Sequence, residues 1–298
     1  VRKLSAHGFP SATVMRMMAI MAHTKSNLLN RGKKRVCILR IEGTNCEWET
    51  FLCFRELGAH AEIVHLKQLT GEHRIRRELE TYDILVIPGG FSAGDYVRAG
   101  AIFAARLRAI WRDLTRFVDD GKPVLGICNG FQVLVELGLL PGWEDKKQVA
   151  LTINDSAHFE CRYTILKHEN RGKCVFTRGI ERGALLKMPC AHAEGKFFVE
   201  PHVRERFISM LEEKDQIVFR YADRHGDTGA GYPWNPNGSI SNIAAICNPE
   251  GNVMGMMPHP ERAFFAFTDP EWARNRVISD EATSEYGNGK LIFERVLL

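Results

Sequence analysis

The first half of the chain repeats one pattern, and that pattern restricts the fold more than any other feature. Short apolar, β-branched runs alternate with segments of helical periodicity. "RVCILRI" (35–41), "AEIVHL" (61–66), "YDILVIPGG" (82–90) and "KPVLGIC" (122–128) read as strands. Between them, a helix capped by Asn45 is expected to run to about Gly58, with Trp48, Phe51, Leu52 and Leu57 as its inner face. "EHRIRRELE" reads as a short charged helix, and a longer one is expected over roughly 98–119, where Ile110, Leu114, Phe117 and Val118 make one stripe. Another runs from Asn129 to about Leu137. Strands that are apolar almost throughout must be covered on both faces. The pattern therefore predicts an α/β fold with a parallel-cored sheet flanked by helices.

The second half is rich in strand-like runs: "VALTIN", "FECRYTIL", "ALLKMPC", "KFFVE", "QIVFRYA", "NIAAIC" and "NVMGMMPH". Turn-rich segments such as "DRHGDTGAGYPWNPNGS" separate them. No linker divides the chain, so residues 35–298 are expected to form a single domain. Residues 1–34 differ in kind: they hold seven Lys or Arg and no acid, so the other 264 residues carry a net −3 although the whole chain carries +4. The body thus has no basic bias that would argue for nucleic-acid binding. The basic stretch resembles an organellar transit peptide in composition. The plainer expectation is a flexible extension outside the chemistry. No apolar run approaches the roughly 20 residues of a membrane helix. The eight cysteines form no C-x-x-C pair, which suits free thiols in a reducing compartment, with the cytoplasm as the expected location.

In a doubly wound sheet, ligands bind beyond the carboxyl ends of the strands. Two loops there carry suggestive residues, "PGGFSAGDY" (88–96) and "GICNG" (126–130). Cys128 stands where a strand hands over to a helix, so unpaired N–H groups and the helix dipole favour its thiolate. The N–H of Asn129 is placed to hold an oxyanion, and Gly126 and Gly130 let the turn close. A buried structural cysteine is the competing reading. A thiolate nucleophile needs a base, and two segments offer His-x-Glu: His192 with Glu194 in "PCAHAEGKF", and His259 with Glu261 in "MPHPER". Residues two apart in an extended segment point the same way, so either pair places a carboxylate beside an imidazole. Gly89 and Gly90 either supply a second oxyanion donor or only turn the chain.

Together, PGG after one strand, G-I-C-x-G-x-Q at an elbow and P-H-P-E near the end resemble the class I (triad) glutamine amidotransferases. "EGTNCEWE", "PGGFSAGDYVRAGAI", "GICNGFQVLVELGLLPG", "AHAEGKF", "NPNGS" and "AAICNPEGNVMGMMPHPERA" resemble in particular the branch that serves de novo purine biosynthesis. These stretches span roughly 35–264. The resemblance implies a flavodoxin-like fold and a glutaminase with Cys128 as nucleophile, His259 as base and Glu261 as its orienting partner. It implies that backbone N–H groups of Gly90 and Asn129 form the oxyanion hole and that Gln132 helps hold glutamine. Ala193 and Ala93 depart from the Gly and Tyr found in many relatives, and the segments that carry them are expected at the pocket edge or a synthase interface. No cofactor or metal is implied for this chain. ATP and Mg are used by a large synthase subunit, which with a small subunit makes up the expected partners. A glutaminase of guanine or cytidine nucleotide synthesis would share the triad but leave NPNGS and GDYVRAGA unexplained. A binding or chaperone protein with a redox-sensing elbow cysteine would not need His259 and Glu261.

Overall fold

A computed structural model of the chain describes residues 32–144, 147–274 and 285–298. The basic extension expected at 1–34 lies outside these residues up to position 31. Lys34–Leu298 forms one compact unit.

Among the described residues, nine strands build one sheet in the order β2-β1-β3-β4-β11-β10-β9-β6-β7. They are β1 (Arg35–Arg40), β2 (His60–His65), β3 (Ile84–Ile87), β4 (Val124–Ile127), β6 (Glu160–His168), β7 (Leu185–His192), β9 (Ile217–Ala222), β10 (Ile243–Cys247) and β11 (Val253–Met256). Neighbours from β2 through β11 pair in parallel, and those from β11 through β7 are antiparallel. A separate antiparallel pair joins β5 (Ala150–Ile153) to β8 (Glu194–Phe198). All seven strand-like runs of the second half are strands. β3, β4, β10 and β11 are buried at every position, as strands with both faces covered must be.

The helices depart from expectation in instructive ways. Helix α1 (Glu47–Glu56) is capped at Cys46, not Asn45, and buries Thr50, Cys53 and Phe54. Phe51 and Leu57 are partly buried, but Trp48 and Leu52 face outward at 58% and 43% exposure. Apolar residues lie on both sides of this helix, so its pattern alone does not choose a face. Phe54 settles it by meeting Phe293 of the C-terminal helix Lys290–Arg295 edge-on, with ring centroids 5.1 Å apart. Helix α2 (Leu66–Leu69) is a single turn. "EHRIRRELE" forms no α-helix, only a 3₁₀ turn at Leu79–Thr81. It is too short and too charged to bury a helical face, and the Arg77 guanidinium is held instead by Glu62 on β2. The long helix breaks into α3 (Ala101–Leu107) and α4 (Trp111–Asp119) across a 3₁₀ turn, Arg108–Ile110. Residues three apart eclipse in a 3₁₀ turn, so Leu107 and Ile110 are both buried. Helix α5 (Asn129–Leu137) stands where expected. Helix α6 (Arg204–Glu213) and the C-terminal helix had no counterpart in the pattern reading.

Helix α5 packs so closely on β3 that position 130 tolerates no side chain: a Cβ on Gly130 would lie 1.8 Å from the carbonyl oxygen of Ile87. Backbone, not a mobile side chain, is in the way. Gly130→Ala is therefore expected to lower unfolding free energy by about 3 kcal/mol, read as a drop in the denaturant midpoint at unchanged slope.

Candidate active site

β4 and β11 are parallel neighbours with Ile127 opposite Met256, so the residues that follow each strand emerge at the same carboxyl edge. From β4 comes Cys128, the first residue beyond the sheet and the N-cap of α5. Its backbone is strained, with φ 50° and ψ −103°, and its N–H donates to Met256 O at 2.7 Å. Such a non-glycine conformation costs on the order of 1–3 kcal/mol and persists where the surroundings enforce it. This is the strand-to-helix elbow that aims a central side chain outward. The Cys128 sulfur lies 3.6 Å from the carbonyl oxygen of Ala191.

From β11 comes His259, buried and tied by its N–H to Pro189 O at 2.8 Å. Nδ1 meets Glu261 Oε1 at 2.5 Å, and this carboxylate is itself buried. With Nδ1–H committed to the carboxylate, Nε2 is the nitrogen left to face sulfur, and both Cys128 and Cys46 interact with the ring. Burial opposes a charged ring here. Glu261 and the Cys128 sulfur outweigh it and hold the His259 pKa well above the ordinary 6.5. A sulfur, an imidazole and a carboxylate thus stand in sequence.

The expected oxyanion donors are the backbone N–H groups of Gly90, in the loop after β3, and Asn129, the first residue of α5. The turn at Gly89–Gly90 is fixed to the loop after β1: Asn45 and Cys46 donate to Gly89 O, and Phe91 donates to Gly43 O. Gly90 adopts φ +152°, and a Cβ there would lie 2.8 Å from both Asn45 N and Oδ1. Neither the Gly90 nor the Asn129 N–H has a partner among the described hydrogen bonds. Gln132 is buried, and its amide is braced at both ends: Oε1 accepts from Asn129 Nδ2 at 2.9 Å, and Nε2 donates to Glu194 O at 2.5 Å.

The model of the CobB/CobQ-like glutamine amidotransferase domain matches residues 33–297. The chain belongs to this family. Its relatives include the phosphoribosylformylglycinamidine synthase subunit PurQ of Archaeoglobus fulgidus, 48% identical over 279 residues that cover 90% of this chain and 98% of that one. The PurQ subunit of Picrophilus torridus is 44% identical over 260 residues, 87% and 96% of the two chains. Among solved structures, a chain of PurLQS from Thermotoga maritima superposes with a TM-score of 0.65 at 30% identity, covering 89% of this chain and 98% of that one. No described helix of this amidotransferase is long and apolar enough to cross a membrane.

The second His-x-Glu segment of the amidotransferase is not a dyad. His192 ends β7 and Glu194 starts β8, so the two are not neighbours along one extended strand. Nδ1 of His192 meets Asn154 Oδ1 at 3.2 Å, and the Glu194 carboxylate accepts from Ala99 N–H at 3.2 Å.

Sequence reasoning missed Cys46. Its sulfur accepts from Arg262 Nη2 at 3.1 Å and lies against the His259 ring beside Gly89. Burial pushes this thiol up despite its hydrogen bond with His259. Cys46, His259 and Glu261 are the described residues whose ligating atoms converge, all within 4.8 Å. That donor set is one zinc accepts, and here the Nδ1–Oε1 bond occupies two of its members. No sequence signal marked Cys46 among eight cysteines, all of them free in the structure.

His192 offers a test of the local electrostatics. Burial, then the neighbouring His259, lower its pKa to about 3 from the ordinary 6.5. The unfolded chain therefore binds the extra proton between those values. The contribution is fully present above pH 6.5 and is lost as pH falls towards 3. At about pH 5, wild type loses on the order of 2 kcal/mol through this group. His192→Gln should flatten the acid limb of a plot of melting temperature against pH.

Proposed function

We propose that this chain is the glutaminase subunit of a phosphoribosylformylglycinamidine synthase, releasing ammonia from glutamine for de novo purine biosynthesis. The observation that carries the reading is the His259–Glu261 pair beside the elbow sulfur of Cys128, in a chain whose relatives carry the PurQ name over nearly their full length. In the proposed reaction the sulfur attacks the carboxamide carbon, its proton passing to His259 Nε2. The carbonyl electron pair moves onto oxygen, received by the N–H groups of Gly90 and Asn129. Collapse of this intermediate breaks the C–N bond. His259 returns the proton to the leaving nitrogen, and ammonia departs from a glutamyl thioester. Water, deprotonated by His259, then attacks the thioester, and glutamate and the sulfur part.

Glu261 keeps Nδ1–H facing away from the sulfur, so Nε2 is free to move the proton. None of these steps calls for a metal or nucleotide in this chain. ATP and Mg belong to the synthase reaction, in which the ammonia reacts with formylglycinamide ribonucleotide on a large partner subunit, with a small subunit completing the assembly. Phe91, Tyr96 and Val97 fit that reading, being 47%, 75% and 86% exposed on the loop that leads from Gly90. The cytoplasm is the proposed location.

In the reconstituted complex, Cys128→Ala is expected to abolish glutamine-driven synthesis while synthesis from added ammonia survives. Loss of both would assign Cys128 a structural role and overturn the reading. Glu261→Gln should keep the fold but lower kcat for glutamine by about 100-fold, since general acid–base help is worth 10²–10⁴. Steady-state ammonia release measures it.

A further inference from the structure

One buried cluster holds more than the proposed reaction uses. That reaction needs His259 and Glu261, yet a third metal-ligating side chain, Cys46, closes on them. The ligating atoms of Cys46, His259 and Glu261 all lie within 4.8 Å of one another, and all three residues are buried. Among the described residues no other group of His, Cys, Asp and Glu converges in this way. Cys46 arrives from the β1 side of the sheet. It is the N-cap of α1, and its N–H donates to Gly89 O at 3.1 Å. Gly89 presents no side chain to the cluster. A Cβ there would lie 3.3 Å from Cys46 Sγ and 3.4 Å from His259 Nδ1, so both atoms border the same spot.

The cluster also has a spare ligand atom. Glu261 Oε1 is taken by His259 Nδ1, but Oε2 has no hydrogen-bond partner among the described residues, on a side chain that is 0% exposed. Buried polar atoms are ordinarily paired, so this carboxylate can take a second, positive partner. Thiolate, imidazole and carboxylate are donors that zinc accepts. Around a tetrahedral zinc ion such donors stand roughly 3.4–3.6 Å apart, so the cluster needs movements on the order of 1 Å. The opening of the 2.5 Å Nδ1–Oε1 contact is one of them. Arg262 supports the sulfur: Nη2 donates to it at 3.1 Å and favours the thiolate that a metal requires. The guanidinium charge is itself offset by Glu49, 3.9 Å away. Calcium and magnesium, which take oxygen ligands, suit the sulfur poorly.

We propose that Cys46, His259 and Glu261 form an inhibitory site for a thiophilic divalent cation, zinc foremost, that switches the glutaminase off. This rests on the glutaminase reading. The metal displaces the Cys46 thiol proton, which leaves to water, and binds His259 at Nδ1. The ring proton then resides on Nε2. That is the nitrogen proposed to take the proton of Cys128, so the bound metal holds the imidazole in the tautomer that cannot act.

The test uses the chain assembled with its synthase subunits, freed of zinc by a chelator and supplied with magnesium. Ammonia release from L-glutamine is followed as free zinc is raised in a chelating buffer. Wild type should lose most of its activity and regain it when excess chelator is added. Cys46→Ser and Cys46→Ala should keep the zinc-free activity. Each should need at least the about 10- to 100-fold more zinc that even an outer partner of a metal is worth. Binding is read separately, with Co²⁺ in place of zinc, on the complex built with Cys128→Ala. Thiolate-to-cobalt charge-transfer absorption should persist there and vanish when Cys46→Ser is added. That absorption decides the site even where a Cys46 variant is inactive. Equal zinc sensitivity with and without Cys46, or cobalt absorption that depends on Cys128 and not on Cys46, places the metal on the nucleophile. Either result overturns the proposal and leaves the glutaminase reading standing, as does a wild type that zinc fails to inhibit reversibly. A zinc-free wild-type complex that releases no ammonia from glutamine defeats the glutaminase reading, and the inhibitory role with it.

Discussion

The parallel pairing of β4 with β11 is the constraint on which the site depends. Ile127 faces Met256 across that ladder, so the chain delivers a sulfur from one strand end and an imidazole from the next at the same edge of the sheet. Parallel neighbours lie about 4.8 Å apart, a spacing that three further residues of loop are enough to adjust. A slip of one residue in register would turn every side chain of β11 to the opposite face. The flanking bonds, Cys128 N–H to Met256 O and His259 N–H to Pro189 O, fix the two loop starts to the sheet itself.

The electrostatics follow from that placement. A buried imidazole would ordinarily lose its proton affinity, as His192 does. His259 departs from this rule because a buried carboxylate lies 2.5 Å from its Nδ1 and a sulfur faces its other nitrogen. Two histidines a short distance apart therefore sit at opposite ends of the proton-affinity range. The difference is made by what each Nδ1 meets: Glu261 in one case, the neutral amide of Asn154 in the other.

That contrast also shows how much was legible in advance. The strands could be read because runs such as "ILVI" and "VLGI" are apolar at every position, and only a sheet covered on both sides accepts them. The elbow could be read because a cysteine stands between glycines where a strand becomes a helix. Helical faces were harder. Helix α1 carries apolar residues on two sides, and the choice between them is made by Phe293, over two hundred residues away. His192-x-Glu194 and His259-x-Glu261 are spelled alike, and local periodicity cannot part them. What parts them is the strand break at Ala193 and the reach of Asn154, neither visible in a short window. Cys46 went unnoticed for the same reason. Its importance lies in the ring it touches, and that ring belongs to the far end of the chain.

The position of β11 in the sheet has a consequence for synthesis of the protein. This late strand inserts between β4 and β10 rather than adding to an outer edge. As the polypeptide leaves the ribosome, Cys128 emerges long before His259, the residue proposed to take its proton. A nascent chain, or one clipped ahead of Val253, lacks the proposed base for this sulfur and leaves the side of β4 that takes β11 unpaired. The proposed chemistry is thus withheld until translation has passed Glu261, and the same event that completes the sheet switches it on.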